Sequence, residues 1–432
     1  TDNQKKTTKN TIFKENKYLT MKKATYSDLH FLFLLFSFVF TFAQSSTVSD
    51  EAISGFSEIR LDRYSKFLNT EIAEGRIPGA VSYIYRNGRI VQKEAYGYSS
   101  WEAKKPMQQD NIFHIMSMTK PIISAAFLML YEEGYFFLTD PVSKYLPQFK
   151  DFKVSLDVNK GINGATVPAK SEITIHQLLT HTAGFTHGIG GTTLDNEIAQ
   201  AIYVEPQISI ESRVNTLIDL PLIGHPGEQW HYSASPDVLS LLIEHFSGMT
   251  TAEFLQIRIF DPLDMKDTGY NIPVNDKGRW VPVHNISEEG KLINSKQQLP
   301  IEGNMVYGGT HGLFSTADDY MKFCRMMLNG GKANGKQLLS PKTVELMTMN
   351  QVGDLYDGQG FGLGFGITTD VANSKALGSK GAFYWSGAYS TYFFIDPKED
   401  LIAILMTQVQ PYSNYYGKKF SQFVYQAMVE KN

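Results

Sequence analysis

The chain has one cysteine in 432 residues, Cys324, so no intrachain disulfide framework holds it together. The setting of that residue, Tyr320-Met321-Lys322-Phe323-Cys324-Arg325-Met326-Met327, predicts a half-buried helix position and not a nucleophile. Excess positive charge is missing as well. The formal net charge is −4, and because residues 1–43 hold seven lysines against three acidic residues, the remainder stands near −8. A chain of that balance has no electrostatic footprint for nucleic acid. Internal repeats and low-complexity tracts are absent. So are two catalytic signatures: no H-E-x-x-H marks a zinc site, and no G-x-S-x-G marks a nucleophile elbow. His176, His181 and His187 share one segment without a paired cysteine or clear carboxylate, so they read as structural, and no metal or cofactor is expected.

The chain opens with a polar, lysine-rich stretch, residues 1–20, without apolar periodicity; it is expected to be disordered and need not be native. From Met21 the pattern changes. Lys22-Lys23 form a basic region, Phe31 to Phe42 an apolar core, and Thr41-Phe42-Ala43 a small-residue end, which reads as a secretory signal peptide over 21–43. The apolar core is short of the roughly 20 residues a spanning helix needs. An exported protein, periplasmic or secreted, with no stable membrane span after cleavage is expected. Residues 44–432 are enough for a substantial core.

Periodicity predicts a helix over Ile59–Glu74, then a hairpin in which Ala80–Arg86 and Arg89–Tyr96 flank Asn87-Gly88. Helical patterns follow at Ile175–Leu179, Ile210–Leu217, Ser235–Phe246, Thr251–Ile259, Thr316–Leu328 and Pro341–Met349. Strands return at Tyr389–Ile395 and Leu401–Thr407, and Phe420–Glu430 closes as a helix. Strands at both ends with helices between imply an α/β (α+β) fold. One antiparallel sheet is built from N- and C-terminal strands and flanked by helices, with an inserted, mainly helical subdomain. A site is expected in the cleft between the two.

The stretch with most chemical content is Ser117-Met118-Thr119-Lys120-Pro121, running into the apolar Ile122–Leu130. The spacing predicts a helix from Ser117 to about Glu133, with Ser117 and Lys120 on one face near its start. A lysine beside a serine supplies the proton acceptor that an unassisted hydroxyl lacks, and a helix N-terminus favours an oxyanion. On its own the tetrapeptide also fits an N-cap serine and a solvated lysine.

Further motifs appear in order: Thr139-Asp140-Pro141-Val142-Ser143-Lys144-Tyr145-Leu146-Pro147, Ile173-Thr174-Ile175-His176-Gln177-Leu178-Leu179-Thr180-His181-Thr182-Ala183-Gly184-Phe185, Pro226-Gly227-Glu228-Gln229-Trp230-His231-Tyr232-Ser233, Ile259-Phe260-Asp261-Pro262-Leu263-Asp264-Met265-Lys266-Asp267-Thr268-Gly269 and Gly308-Gly309-Thr310-His311-Gly312-Leu313-Phe314-Ser315-Thr316-Ala317. Together with Ser117–Lys120, they resemble the serine β-lactamase-related superfamily, from roughly Ile59 to the C-terminus. That superfamily includes class C β-lactamases, D-alanyl-D-alanine carboxypeptidases and family VIII carboxylesterases.

The resemblance implies Ser117 as nucleophile and Tyr232, matching the tyrosine of Tyr-x-Asn and working as a unit with Lys120, as the group that takes the Ser117 proton during acylation, returns it to the leaving group and then activates water. An ammonium at Lys120 would favour the phenolate of Tyr232, although which of the pair holds the proton at rest is open. The chain departs from the pattern twice. Tyr232-Ser233-Ala234 lacks the asparagine, and where lactamases carry Lys-Thr-Gly this chain reads Trp385-Ser386-Gly387. A neutral indole cannot attract a carboxylate as a lysine does. Family VIII esterases resemble the chain at this point. The resemblance also implies an oxyanion hole from the backbone N–H groups of Ser117 and Ala388, with substrate contacts at Trp385, Ser386, Gly387 and His311. Trp385, Tyr384, Tyr389, Phe185 and Trp230 are candidates for an acyl pocket, or equally for core packing.

The expected function is an exported serine hydrolase acting through an acyl-enzyme, a carboxylesterase on small or medium esters. The alternatives are a D-amino-acid peptidase or amidase, a class C-like β-lactamase, and a non-catalytic binding or sensing protein. The expected partner is a small-molecule ester or amide; the sequence is silent on oligomeric state.

Overall fold

The computed structural model describes residues 52–356 and 358–431. The expected leader (1–20) and signal peptide (21–43) lie outside the described residues. Helix α1 (Glu58–Ala73) leads into strands β1 (Gly79–Arg86) and β2 (Arg89–Ser100), joined at Asn87-Gly88. Both turn residues take positive φ, 51° and 77°, as a tight hairpin turn requires. The short β3 (Lys105–Pro106) follows, then α2 (Thr119–Glu132), α3 (Ile210–Ile218), α4 (Ser235–Ser247) and α5 (Ala317–Leu328), with shorter helices between. The chain returns through β4 (Gly360–Phe361), β5 (Gly366–Ile367), β6 (Phe383–Ser386), β7 (Tyr392–Asp396) and β8 (Leu401–Met406) to the closing helix α6 (Asn414–Ala427).

The eight strands form one antiparallel sheet in the order β4-β5-β6-β7-β8-β1-β2-β3. Its seam joins the two ends of the chain: β8 pairs with β1, Leu401 opposite Arg86 and Met406 opposite Val81. Residues of both parities on β1 and β8 are buried, so the sheet must be covered on both faces. Ala80, Ile84, Leu401, Ala403 and Leu405 pack with Leu61, Tyr64 and Leu68 of α1 and Phe420 and Val424 of α6. Val81, Tyr83, Ile402, Ile404 and Met406 join the larger core that contains α2, α4 and α5.

Helix α2 is buried all round from Thr119 to Leu130, as an apolar helix between two layers must be. It packs on α4, so the residues at its start lie where the sheet layer meets the helical subdomain.

The architecture is the one expected, and the differences are local. Helix α6 begins at Asn414 instead of Phe420, because Ser413 caps its first turn by accepting from the Tyr415 N–H. The strand expected from Tyr389 begins at Tyr392, since Gly387–Thr391 fold into a turn in which the Gly387 N–H donates to the Thr391 carbonyl and Ser390 has φ 65°. Helix Thr251–Leu255 continues into a π turn, Gln256–Phe260. Two strand pairs interrupt the helical region, Lys153–Ser155 with Thr166–Pro168 and His284–Ile286 with Leu292–Asn294. Cys324 is fully buried rather than half-buried, on the inward face of α5 with Phe323 and Met327, and burial pushes its thiol up. Among the described residues no helix is long and apolar enough to cross a membrane.

Candidate active site

The helix expected from Ser117 begins as α-helix only at Thr119, and Ser117 sits just before it in a single 3₁₀ turn, Met116–Met118. Met116 has φ 48°, a left-handed conformation that a side chain with a Cβ rarely takes, so the neighbouring structure must hold the turn. It does so through three hydrogen bonds. The Ile115 N–H donates to the Leu313 carbonyl at 3.0 Å, the Tyr320 hydroxyl to the Met118 carbonyl at 3.0 Å, and the Leu313 N–H to Thr119 Oγ1 at 3.3 Å. Ser117 stays half-buried, open on one side.

Lys120, one turn on, is only 1% exposed. Its Nζ lies 3.1 Å from Ser117 Oγ and donates to the Thr310 carbonyl at 2.8 Å. Burial lowers its pKa to about 7, partly opposed by the Asp237 carboxylate. Near neutral pH a substantial fraction is therefore free amine, the form that can accept the serine proton.

Tyr232 comes from the segment just before α4 and completes the group. Its phenol oxygen accepts the Trp385 indole N–H at 3.2 Å and lies near the Ser117 hydroxyl. The Lys120 Nζ lies over the ring face, 4.4 Å from its centroid. Desolvation raises the phenol's pKa, outweighing the bonds from Ser117 and Trp385. Burial thus works against the phenolate that a Lys120 ammonium would favour, and drives both groups toward their neutral forms, the free amine and the phenol.

The histidines that read as structural hold this ring. His181 packs edge-on against Tyr232 at 5.0 Å and His187 at 4.6 Å. His181 Nδ1 is 2.9 Å from Ser233 Oγ, which in turn is 2.8 Å from Ser235 Oγ, tying the tyrosine's own segment to the start of α4. Their pKa values are lowered, His181 well below the ordinary value and His187 to about 3, chiefly by burial. His176 lies apart, 3.3 Å from the Gln351 side chain. No group of potential metal ligands occurs among the described residues.

The end of β6 forms the other wall. Gly387 abuts the nucleophile turn so closely that a Cβ there would stand 2.4 Å from the Ile115 carbonyl oxygen and 2.3 Å from Thr391 Oγ1, so only glycine fits. This contact sets the end of β6 against the turn that carries Ser117. Ser386 Oγ lies 3.1 Å from the hydroxyl of Tyr412, a residue without sequence signal that sits at the exposed rim.

The five aromatic candidates separate. Trp385 and Trp230 belong to one wall with Tyr232, Tyr356 and Phe361. Phe185 packs with Phe149 and Phe152 in the core. Tyr384 faces the opposite side of the sheet toward Tyr392, because neighbouring strand residues point to opposite faces. Tyr389 packs against His114. His311 lines a cavity of about 400 Å³ next to the Thr310 carbonyl that holds Lys120.

The family model described as Beta-lactamase matches residues 60–420. An uncharacterized protein of Mycobacterium tuberculosis is 32% identical over 353 residues, 78% of this chain and 87% of the relative. Esterase EstB of Burkholderia gladioli is 27% identical over 370 residues, 80% of this chain and 89% of the relative. Among solved structures, one described as EstCE1, a hydrolase with promiscuous acyltransferase activity, aligns at a TM-score of 0.72 and 23% identity, covering 85% of this chain and 99% of its own.

Proposed function

This chain belongs to the β-lactamase family, and we propose that it is an exported serine hydrolase working through an acyl-enzyme on Ser117, a carboxylesterase on small or medium esters. The observation that carries the reading is the 3.1 Å approach of a buried lysine, its pKa near 7, to Ser117 Oγ. In this reading the Lys120 amine takes the hydroxyl proton as Oγ attacks the ester carbonyl. The backbone N–H groups of Ser117 and Ala388 face the oxyanion. Tyr232 gives its phenol proton to the departing alkoxide and is reprotonated from Lys120, and water then releases the acid by the same proton transfers.

An ester is favoured over a β-lactam because the indole of Trp385, spent on Tyr232, occupies the place of a carboxylate-binding lysine. The similarity to an esterase points the same way. Acyl transfer to an alcohol is a second reading, favoured by the aromatic wall of Trp230, Tyr356 and Phe361, which would shield an acyl-enzyme from water. Export is supported by the basic and apolar pattern of residues 21–43, and N-terminal sequencing of the secreted form should begin after Ala43.

The test is a substrate panel. Short-chain nitrophenyl esters should be hydrolysed, and Ser117→Ala should abolish this, while a chromogenic cephalosporin and a D-alanyl peptide should be poor substrates. Equal ester turnover by wild type and Ser117→Ala would remove the serine from the mechanism. Rapid cephalosporin turnover without ester hydrolysis would replace the esterase reading by a lactamase.

A further inference from the structure

The cavity beside His311 has a polarity that the ester reading leaves unused. Of the residues lining it, only Arg213 is formally charged and none is acidic. Arg213 stands on α3 with its side chain 12% exposed, lying over the Tyr203 ring at 5.3 Å. The guanidinium forms no hydrogen bond with any described residue. Its Nε is buried without a partner; of the Asp237 carboxylate, Oδ1 accepts the Thr310 N–H at 2.8 Å, while Oδ2, itself without a hydrogen bond, stands 3.6 Å from Nη1 as an ion pair. The buried Tyr203 hydroxyl, close to that of Thr310, also completes no hydrogen bond of normal geometry. A guanidinium whose Nε has no acceptor and whose Nη1 has only a 3.6 Å ion pair, beside a phenol without a hydrogen bond, asks for a ligand that brings acceptor oxygens.

The opposite part of the lining is apolar, from Leu299, Met305, Val306 and Phe314, and its rim carries Ile208 and Met305 exposed at 77% and 68%. Such a wall suits methylene or ring carbons between the charge and the reacting bond. The cavity is linked to the nucleophile through its lining. His311 and Gly312 in its lining directly follow Thr310, whose carbonyl binds Lys120, which in turn reaches Ser117.

We propose that this cavity is a carboxylate subsite, in which Arg213 and Tyr203 bind an anionic group carried on one half of the ester. The inference rests on the ester-hydrolase reading and narrows its substrate class to esters bearing a carboxylate some carbons from the scissile bond. The anion site is thus moved from the sheet edge, where Trp385 stands, to the helical side of the cleft. The Asp237 carboxylate faces the guanidinium across 3.6 Å without a hydrogen bond, so a ligand carboxylate that hydrogen-bonds Arg213 directly gains a charge-assisted contact.

Two matched pairs of esters distinguish which half carries the charge. For the acid half, nitrophenyl glutarate monoester is compared with nitrophenyl pentanoate. For the alcohol half, 4-butyryloxybenzoate is compared with 4-butyryloxybenzamide. In one pair the anionic ester should be preferred in kcat/KM by roughly 10-fold or more, the worth of a charge-assisted hydrogen bond. The preference should fall toward one in Arg213→Gln, be partly kept in Arg213→Lys, and drop several-fold in Tyr203→Phe. Ile208→Glu at the exposed rim, which cannot disturb the fold through burial, should reduce it by charge repulsion.

Neutral esters turned over with no anionic preference in either pair would overturn the subsite while leaving the hydrolase intact. A preference unchanged in Arg213→Gln would do the same. If no ester is turned over, the hydrolase reading fails and binding decides the subsite. Pentanoate, but not pentanamide, should then bind the wild type in a calorimetric titration and lose that binding in Arg213→Gln, and absence of pentanoate binding would overturn the proposal.

Discussion

The Trp385 indole N–H donates to the Tyr232 phenol oxygen at 3.2 Å, so the residue that replaces a family lysine is a clamp on the neighbour of the nucleophile. Trp385→Phe keeps the ring's packing against Phe361 and removes one hydrogen bond of about 0.5–1.5 kcal/mol. A kcat lower by roughly 2- to 10-fold with KM little changed is expected from steady-state kinetics.

The pH profile should report Lys120. Its amine is protonated below its pKa of about 7 and cannot then accept the Ser117 proton, so kcat/KM for a nitrophenyl ester should fall as pH drops through 7. His114 and His187, both lowered to about 3 by burial, stay neutral across that window, and Tyr232, raised by burial, stays protonated. A flat profile between pH 5 and 9 would remove Lys120 as the base.

Gly387→Ala tests the contact between the sheet edge and the nucleophile turn. The added methyl meets the Ile115 carbonyl and Thr391, and relieving that overlap costs about 1–3 kcal/mol of stability. Displacement of the Ser117 turn should cost on the order of 10²-fold in kcat/KM, more than the change in melting temperature alone would imply.

Cys324 should be inert in the native protein. It is fully buried on α5 and its thiol is pushed up, so a disulfide reagent should leave it unmodified and activity intact. One equivalent should react after denaturation in guanidinium.

Much of this was legible in the chain because it depends on local pattern. The Asn87-Gly88 hairpin and the strands at both ends of the chain pointed to one antiparallel sheet built from both termini, as β8 paired with β1 shows. Ser117 and Lys120 meet because three residues on a helical turn bring them together, and Tyr232 was found through its motif. What escaped depends on contacts between distant segments. The roles of His181 and His187 against Tyr232, and of the Thr310 carbonyl on Lys120, join residues 45 to 190 positions apart with no shared pattern. The proton balance of the Lys120–Tyr232 pair stayed open for a related reason. Sequence shows that two charges are near but not that one faces the other's ring, or how deeply both are buried. The partition of the aromatic residues is likewise a matter of strand phase, which placed Tyr384 and Trp385 on opposite faces.

The most direct test is to label the purified protein with a fluorophosphonate and map the modified residue by mass spectrometry. A single adduct on Ser117, absent from Ser117→Ala and slowed by Lys120→Ala, is the predicted result. An adduct on a different residue, or equal labelling of wild type and Ser117→Ala, would contradict the account.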